Sequence, residues 1–305
     1  SFQDFEDEVT ELLHMGYRSI ELVSSQDPDL YVKTNGFNLE TQFYKIDEVV
    51  KYFKTAAILI KKAGGGMLTS NIPPLDEGSF RKLKNAGLDC YLSWLETFNP
   101  NQYSTLHDRN GPKYNQPFRL DSFERARQAG IEHLAGAFLK GLYDWRKEEI
   151  ILYLIDGYLK KKYGRGFSII GTPRLKGRVL QSGMIRPYQV SDKDYELNIA
   201  LDRILFDGIL WLQTRESFDL NHRLINRFGG GVILTLSCST APGGYRHPSR
   251  SRSQFPQHPI HNRKLADIIQ LLEKDGYEIH FDWDTRTLAS FSRIGKTAEI
   301  AAAQG

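Results

Sequence analysis

Seven short apolar segments, separated by stretches that repeat with a helical period, constrain this chain more than any other feature. The segments fall at residues 19–23, 67–71, 90–95, 133–139, 167–172, 209–213 and 232–237. Each is bounded by turn-forming residues, as a buried strand requires. Helical patterns open the chain at 5–15 and recur at 45–62, 79–86, 122–129, 147–162, 192–205 and 219–227. In the second of these, Ile46, Val49, Val50 and Phe53 share one face, and Gly64, Gly65 and Gly66 stop it. That glycine run reads as a helix-to-strand turn, because no Lys-Ser/Thr pair follows to make a phosphate cradle. Strands alternating with helices imply a parallel sheet, either closed as a TIM-type (β/α) barrel or open and doubly wound.

The chain begins with a helix, so an eight-stranded barrel would lack its first strand. Either that strand lies upstream of Ser1 or the barrel is incomplete. After Thr240 the alternation gives way to a loop rich in Gly, Pro, Ser, Arg and His, followed by a helix at 263–274, a short strand at 278–281 and a frayed tail at 301–305. The expected division is therefore a barrel over residues 1–240 and a C-terminal extension over 241–305 packing on it.

Composition excludes several partners. Forty basic and thirty-seven acidic residues leave a formal charge of +3, too little to draw nucleic acid or a membrane surface without a clustered patch. The one basic cluster, Arg246 to Arg252, has no interleaved aromatic residues for base stacking and reads as a surface loop. No apolar run approaches eighteen residues, and the first fifteen residues resemble neither a signal peptide nor a membrane span. Cys90 and Cys238 are too few for a disulfide framework, which points to a reducing cytoplasm. By themselves they also cannot ligate a four-iron cluster, and no histidine spacing matches a zinc site.

In a β/α barrel the strand C-termini form the active-site face. Reading each strand to its end gives Ser24, Ser25 and Gln26, then Asn71, Glu96, Lys140, Arg174, Arg215, and finally Ser237, Cys238 and Ser239. Two guanidiniums and an acid at one mouth suit a zwitterionic or carboxylate-bearing ligand, since arginine presents a planar fork matched to carboxylate. Glu96 either accepts hydrogen bonds from a ligand or caps the next helix. Arg125, on a helix opened by an Asp121 or Ser122 N-cap, either points inward to a carboxylate or pairs with Asp121.

Several motifs carry a family resemblance. Trp94-Leu95-Glu96-Thr97-Phe98, Gly111-Pro112-Lys113, Arg119-Leu120-Asp121, Ala129-Gly130-Ile131 and Gly141-Leu142-Tyr143-Asp144-Trp145-Arg146 occur in order. Pro173-Arg174-Leu175, Thr214-Arg215-Glu216, Pro242-Gly243-Gly244-Tyr245, Gln254-Phe255 and Asp282-Trp283-Asp284 follow. Together they resemble the radical SAM aromatic amino acid lyases, in particular the tyrosine lyase branch of thiazole biosynthesis. The resemblance implies a partial or full barrel with the C-terminal extension found in biotin and thiamin synthesis proteins. It also implies a 4Fe–4S cluster that cleaves S-adenosylmethionine, Cα–Cβ cleavage of tyrosine to dehydroglycine and p-cresol, and a thiazole synthase partner. By position, Ser25 and Gln26 would meet the S-adenosylmethionine amine, Asn71 its ribose, and Glu96 and Arg125 the same cofactor. Arg174, Arg215, Ser237, Cys238 and Ser239 would surround the amino acid substrate.

Three departures qualify this expectation. The family's cluster loop precedes the opening helix and has no counterpart here, its glycine-glutamate pair appears as Ser25-Gln26, and Cys238 stands where the family places a serine. Phe281-Asp282-Trp283-Asp284 has no cysteine for an auxiliary cluster, which favours the thiazole branch over the hydrogenase-maturation branch. A cluster-free binding or scaffold barrel, or a related lyase acting on tryptophan or another amino acid, remain as alternatives.

Overall fold

A computed structural model describes residues 1–24, 27, 30, 45–107, 109, 111–175, 188–212, 216–234 and 265–281. Within them seven parallel strands run in chain order: β1 (Ser19–Val23), β2 (Met67–Asn71), β3 (Cys90–Trp94), β4 (His133–Ala137), β5 (Ile169–Gly171), β6 (Ile209–Leu212) and β7 (Val232–Leu234). Each pairs with its sequence neighbours, and no pairing joins β7 to β1 among the described residues. The sheet is thus an α/β half-barrel of TIM type, and all its strand C-termini lie at one mouth.

Strand side chains alternate between two cores, as a period of two requires. The inward set is Met67, Cys90, Leu92, Ala135, Ile169 and Ile209, with Trp94, Trp211 and Ile233 packed on it. The outward set, including Ile20, Leu68, Tyr91, Leu134, Ile170 and Leu210, meets the apolar faces of the helices. On α2 (Ile46–Lys62) that face includes Val49, Phe53, Ala56 and Ile60. The turn after α2 needs glycine at position 66, where φ is +149° and a Cβ would come within 1.9 Å of the Arg18 carbonyl oxygen.

Caps place the helix starts more sharply than hydrophobic period does. Ser1 caps α1 (Phe2–His14), Asp76 caps α3 (Glu77–Asn85) and Asp144 caps α7 (Trp145–Tyr163). Ser191 does so for α8 (Asp192–Leu205), and Ser217 for α9 (Phe218–Phe228). Two short helices that periodicity misses, α4 (Pro100–Tyr103) and α5 (Gln116–Leu120), each start on an asparagine cap followed within two residues by proline. The expected cap of α6 (Ser122–Gln128) is not made. Asp121 ends α5 in helical geometry, so the chain passes directly from one helix to the next and its carboxylate bonds no N-terminal amide.

The final described helix, α10 (Leu265–Lys274), buries Ile268 and Leu272 in the helix layer. Beyond it, the Tyr277 hydroxyl donates to the Ile225 carbonyl of α9 at 3.2 Å. The strand expected at 278–281 does not form. That stretch follows the Tyr277 anchor, and its Ile279 packs against the helix-layer core.

Candidate functional site

Asn71 and Glu96 stand at adjacent strand ends of the mouth. Asn71 closes β2, and its carbonyl accepts the Ser24 amide at 3.4 Å. Glu96 lies two residues past β3 and has φ +52°, the only positive φ outside glycine among the described residues. That conformation costs a glutamate on the order of 1–3 kcal/mol and persists only where its surroundings enforce it. The next helix is capped by Asn99 instead, whose side chain accepts the Gln102 amide at 3.0 Å, so Glu96 does no capping.

The partner of Glu96 is Arg119, from α5. Its Nη2 lies 3.4 Å from Glu96 Oε1 and also donates to the Trp94 carbonyl. Nη1 donates to the Tyr103 hydroxyl at 3.1 Å and lies 3.2 Å from His107 Nε2. Tyr103 in turn donates to the carbonyl of Lys113, in the Gly111-Pro112-Lys113 loop. The guanidinium is buried and the Glu96 carboxylate is 26% exposed, so the acid presents an open edge above an internal cation. Burial, reinforced by Arg119, holds His107 down to about 4 and the Lys113 ammonium down to about 8. His107 is thereby neutral at pH 7, whereas Lys113 keeps most of its charge there and is only easier to deprotonate than an exposed lysine.

Arg125 takes neither of the orientations read from sequence. Its Nε donates to the Leu75 carbonyl at 2.7 Å, its Nη2 donates to the Phe118 carbonyl, and its guanidinium lies 3.7 Å from the Phe118 ring centroid. It ties the loop after β2 to α5, one layer out from Asn71 and Glu96. Arg174 is 1% exposed, with every nitrogen engaged inside the protein. Nε and Nη2 grip the two Glu216 oxygens at 2.9 and 2.7 Å, Nη2 also reaches Asp192 at 2.8 Å, and Nη1 donates to the Val190 carbonyl at 3.2 Å. Expected to line the substrate cavity, it instead makes a buried clamp between α8 and the start of α9.

Lys140, another strand-end residue, points into the helix layer. Its Nζ is fully buried, 4.3 Å from the Phe138 ring centroid and 3.8 Å from Glu149 Oε2. Glu149 also accepts from Asn198, and Asp202 completes the cluster; burial and then Glu149 push the Asp202 carboxyl up.

Inside the barrel the structure adds an acid that sequence reasoning passed over. Glu21 on β1 is in register with Thr69 and hydrogen-bonds the Asn71 side chain. Burial raises its carboxyl to about 7, and that hydrogen bond opposes the rise. Higher in the barrel, Trp94 and Trp211 meet edge to face with centroids 5.6 Å apart. Gly171 makes room for them, since a Cβ there would lie 2.0 Å from Trp94 Cζ3. An acid, an amide and two indoles suit a ligand with polar and aromatic parts.

Ser25, Gln26, Arg215, Ser237, Cys238 and Ser239 lie outside the described residues. Of the other candidates, the structure brings Asn71 and Glu96 to the mouth, puts Arg125 behind them and removes Arg174 to the helix layer. Arg119 stood in a quoted motif without a role, and Glu21 carried no signal beyond being an acid inside an apolar run. Cys90, the one described cysteine, is buried on the inward face with its thiol held by Thr69, and burial pushes that thiol up. A single inert thiol does not fit a four-iron cluster, so the described residues do not supply its ligands. No described group of histidine, cysteine and acidic residues could hold a metal ion, and no described helix is long and apolar enough to cross a membrane.

No protein-family model matches the chain. Among curated proteins it is 30% identical to the 2-iminoacetate synthase of Escherichia coli over 227 residues, 72% of this chain and 57% of that protein. To the 2-iminoacetate synthase of Salmonella typhimurium it is 28% identical over the same shares. The chain therefore spans somewhat more than half the length of these relatives. Among solved structures it resembles HydG, a maturase of the FeFe-hydrogenase, with TM-score 0.80 and 26% identity, covering 97% of this chain and 62% of that one. HydG from Carboxydothermus hydrogenoformans gives TM-score 0.74 and 29% identity, covering 91% and 59% respectively. Methylornithine synthase, at TM-score 0.59 and 13% identity, shares the fold alone. In sequence the chain is similar to the 2-iminoacetate synthases, and in fold to HydG.

Proposed function

From this kinship we propose that the chain is the S-adenosylmethionine- and substrate-binding barrel of a radical SAM lyase. The reaction is Cα–Cβ cleavage of an aromatic amino acid, with tyrosine giving dehydroglycine and p-cresol for thiazole formation. Bound S-adenosylmethionine and a 4Fe–4S cluster would supply the radical chemistry; the protein's part is orientation and exclusion of water. The carrying observation is the partly exposed Glu96 carboxylate at the mouth, held over a buried Arg119. That acid suits the hydroxyls or ammonium of S-adenosylmethionine, and Asn71 suits its ribose.

Arg125 then supports this wall through the Leu75 and Phe118 carbonyls, in place of the direct contact that the family pattern suggests. Arg215 and the stretch Ser237 to Ser239 are assigned to the substrate carboxylate by resemblance. The product dehydroglycine would pass to a thiazole synthase partner. The full-length protein, reconstituted anaerobically with iron and sulfide, tests the reading. Incubation with S-adenosylmethionine, a reductant and tyrosine should yield 5'-deoxyadenosine and p-cresol, and Glu96→Ala should abolish both. No turnover of tyrosine or tryptophan by an iron-loaded preparation would reject it.

A second reading is a cluster-free binding barrel. Glu21 favours it, because an acid hydrogen-bonded to Asn71 inside the barrel can hold a cationic ligand without any radical step. Iron and sulfide analysis of the full-length protein separates the two, since stoichiometric four-iron content excludes the scaffold.

A further inference from the structure

The left-handed backbone at Glu96 is enforced from outside the mouth. On its N-terminal side the Leu95 amide donates to the Ala137 carbonyl at 2.9 Å, and the Glu96 carbonyl accepts the Leu139 amide at 2.7 Å. Both bonds come from β4 and its continuation, and they fix the strand end. The two residues that follow are held by a single side chain, Glu148, in the first turn of α7. Its Oε1 accepts both the Thr97 hydroxyl and the Phe98 amide, the latter at 2.7 Å. The Thr97 hydroxyl in turn accepts the Asn99 amide at 3.1 Å.

Glu148 is fully buried, and its Oε2 has no hydrogen-bond partner. A buried carboxylate this poorly satisfied is costly to keep. Simple capping does not require it, because Asp144 already caps α7 and Asn99 already caps α4. What its placement does achieve is to stop residues 97 and 98 from relaxing, and a positive φ at the preceding glutamate survives only if its neighbours cannot relax.

We infer that Glu148 is a positioning residue. Through Thr97 and Phe98 it latches the loop after β3, so that Glu96 keeps the backbone turn that carries its carboxylate to Arg119 and the mouth. This rests on the reading of Glu96 as a contact to S-adenosylmethionine.

The test uses the full-length, cluster-reconstituted protein and the dissociation constant of S-adenosylmethionine, read by equilibrium dialysis beside the unfolding midpoint. Thr97→Val keeps the shape but removes the hydroxyl and should weaken binding about tenfold or more, the scale of one lost oriented hydrogen bond to a charged group. Thr97→Ser should restore it. Glu148→Gln keeps an acceptor oxygen for both donors and should bind near the parent level, whereas Glu148→Leu should not. If Glu148→Leu fails to fold, the Thr97 pair still decides. Parent-like binding by Thr97→Val, with binding lost in Glu96→Ala, overturns the latch and leaves the function reading standing. Parent-like binding by Glu96→Ala overturns both.

Discussion

Arg119 Nη2 lies 3.4 Å from Glu96 Oε1, joining a buried guanidinium to a carboxylate that is one quarter exposed. The same nitrogen holds the Trp94 carbonyl, so one side chain sets both the end of β3 and the acid two residues beyond it. Glu96 therefore faces the mouth from a fixed base.

Arg119→Met should cost on the order of 3 kcal/mol, since it strands the Trp94 carbonyl and the Glu96 acid together. It should also raise the His107 imidazole from about 4, because Arg119 is the second cause, after burial, holding it down. Chemical denaturation gives the first quantity, and an NMR titration of the His107 ring gives the second. An unchanged His107 titration would show that burial alone sets it.

Gly171→Ala should disturb the barrel interior beneath the mouth. The added Cβ would meet Trp94 Cζ3 at 2.0 Å and Cη2 at 2.1 Å, with the Ala137 Cβ at 3.0 Å behind. Overpacking of this kind costs roughly 1–3 kcal/mol. Because Trp94 would have to leave its edge-to-face contact with Trp211, tryptophan emission should shift along with the unfolding midpoint.

Glu148 gives a pH dependence of definite sign. Burial lifts its carboxyl from 4.5 to about 7, against the Thr97 and Phe98 hydrogen bonds and the Lys140 ammonium, while Asp144 adds to the rise. A raised folded value means that the stabilising contribution is complete below 4.5 and is lost as pH climbs through 7. At about 1.4 kcal/mol per tenfold change in proton affinity, the loss is on the order of 3 kcal/mol. Glu148→Gln cannot ionise, so its advantage over the parent in unfolding free energy should grow between pH 4.5 and pH 7. A constant difference across that range would place the Glu148 carboxyl at an ordinary value.

The buried Lys140 and Glu149 should behave as a coupled pair. Lys140 Nζ lacks a hydrogen-bond partner and lies 3.8 Å from Glu149 Oε2, while the Asp202 carboxyl packs against Glu149. Removing one charge leaves the other uncompensated, so Lys140→Met should cost on the order of 3 kcal/mol. The double variant Lys140→Met with Glu149→Met should recover most of that loss. Denaturant unfolding of the two singles and the double measures the coupling directly.

Strand order and the position of the mouth were legible in sequence because apolar runs bounded by turn residues report burial on both faces of a parallel sheet. The ends of the helices were less so. The helix that begins at Trp145 reads from period as starting at 147, because its boundary is set by the Asp144 side-chain cap rather than by the apolar repeat. The two short helices α4 and α5 have too few turns to show any period.

By itself, the sequence determined the seven alternating strands, the placement of Asn71 and Glu96 at one rim, and the motifs that carry the family resemblance. Those features depend on local pattern and on residue identity. Only the tertiary structure decided which charge meets which. It gave Glu96 to Arg119, spent Arg125 on backbone carbonyls and Arg174 on Glu216, and turned Glu21 toward Asn71 inside the barrel. An arginine has the same formula in a ligand site and in a buried clamp. Its role is fixed by the acceptors that other segments bring within about 3 Å of it, and hydrogen bonds and ion pairs are too short-ranged for sequence spacing to predict across elements dozens of residues apart.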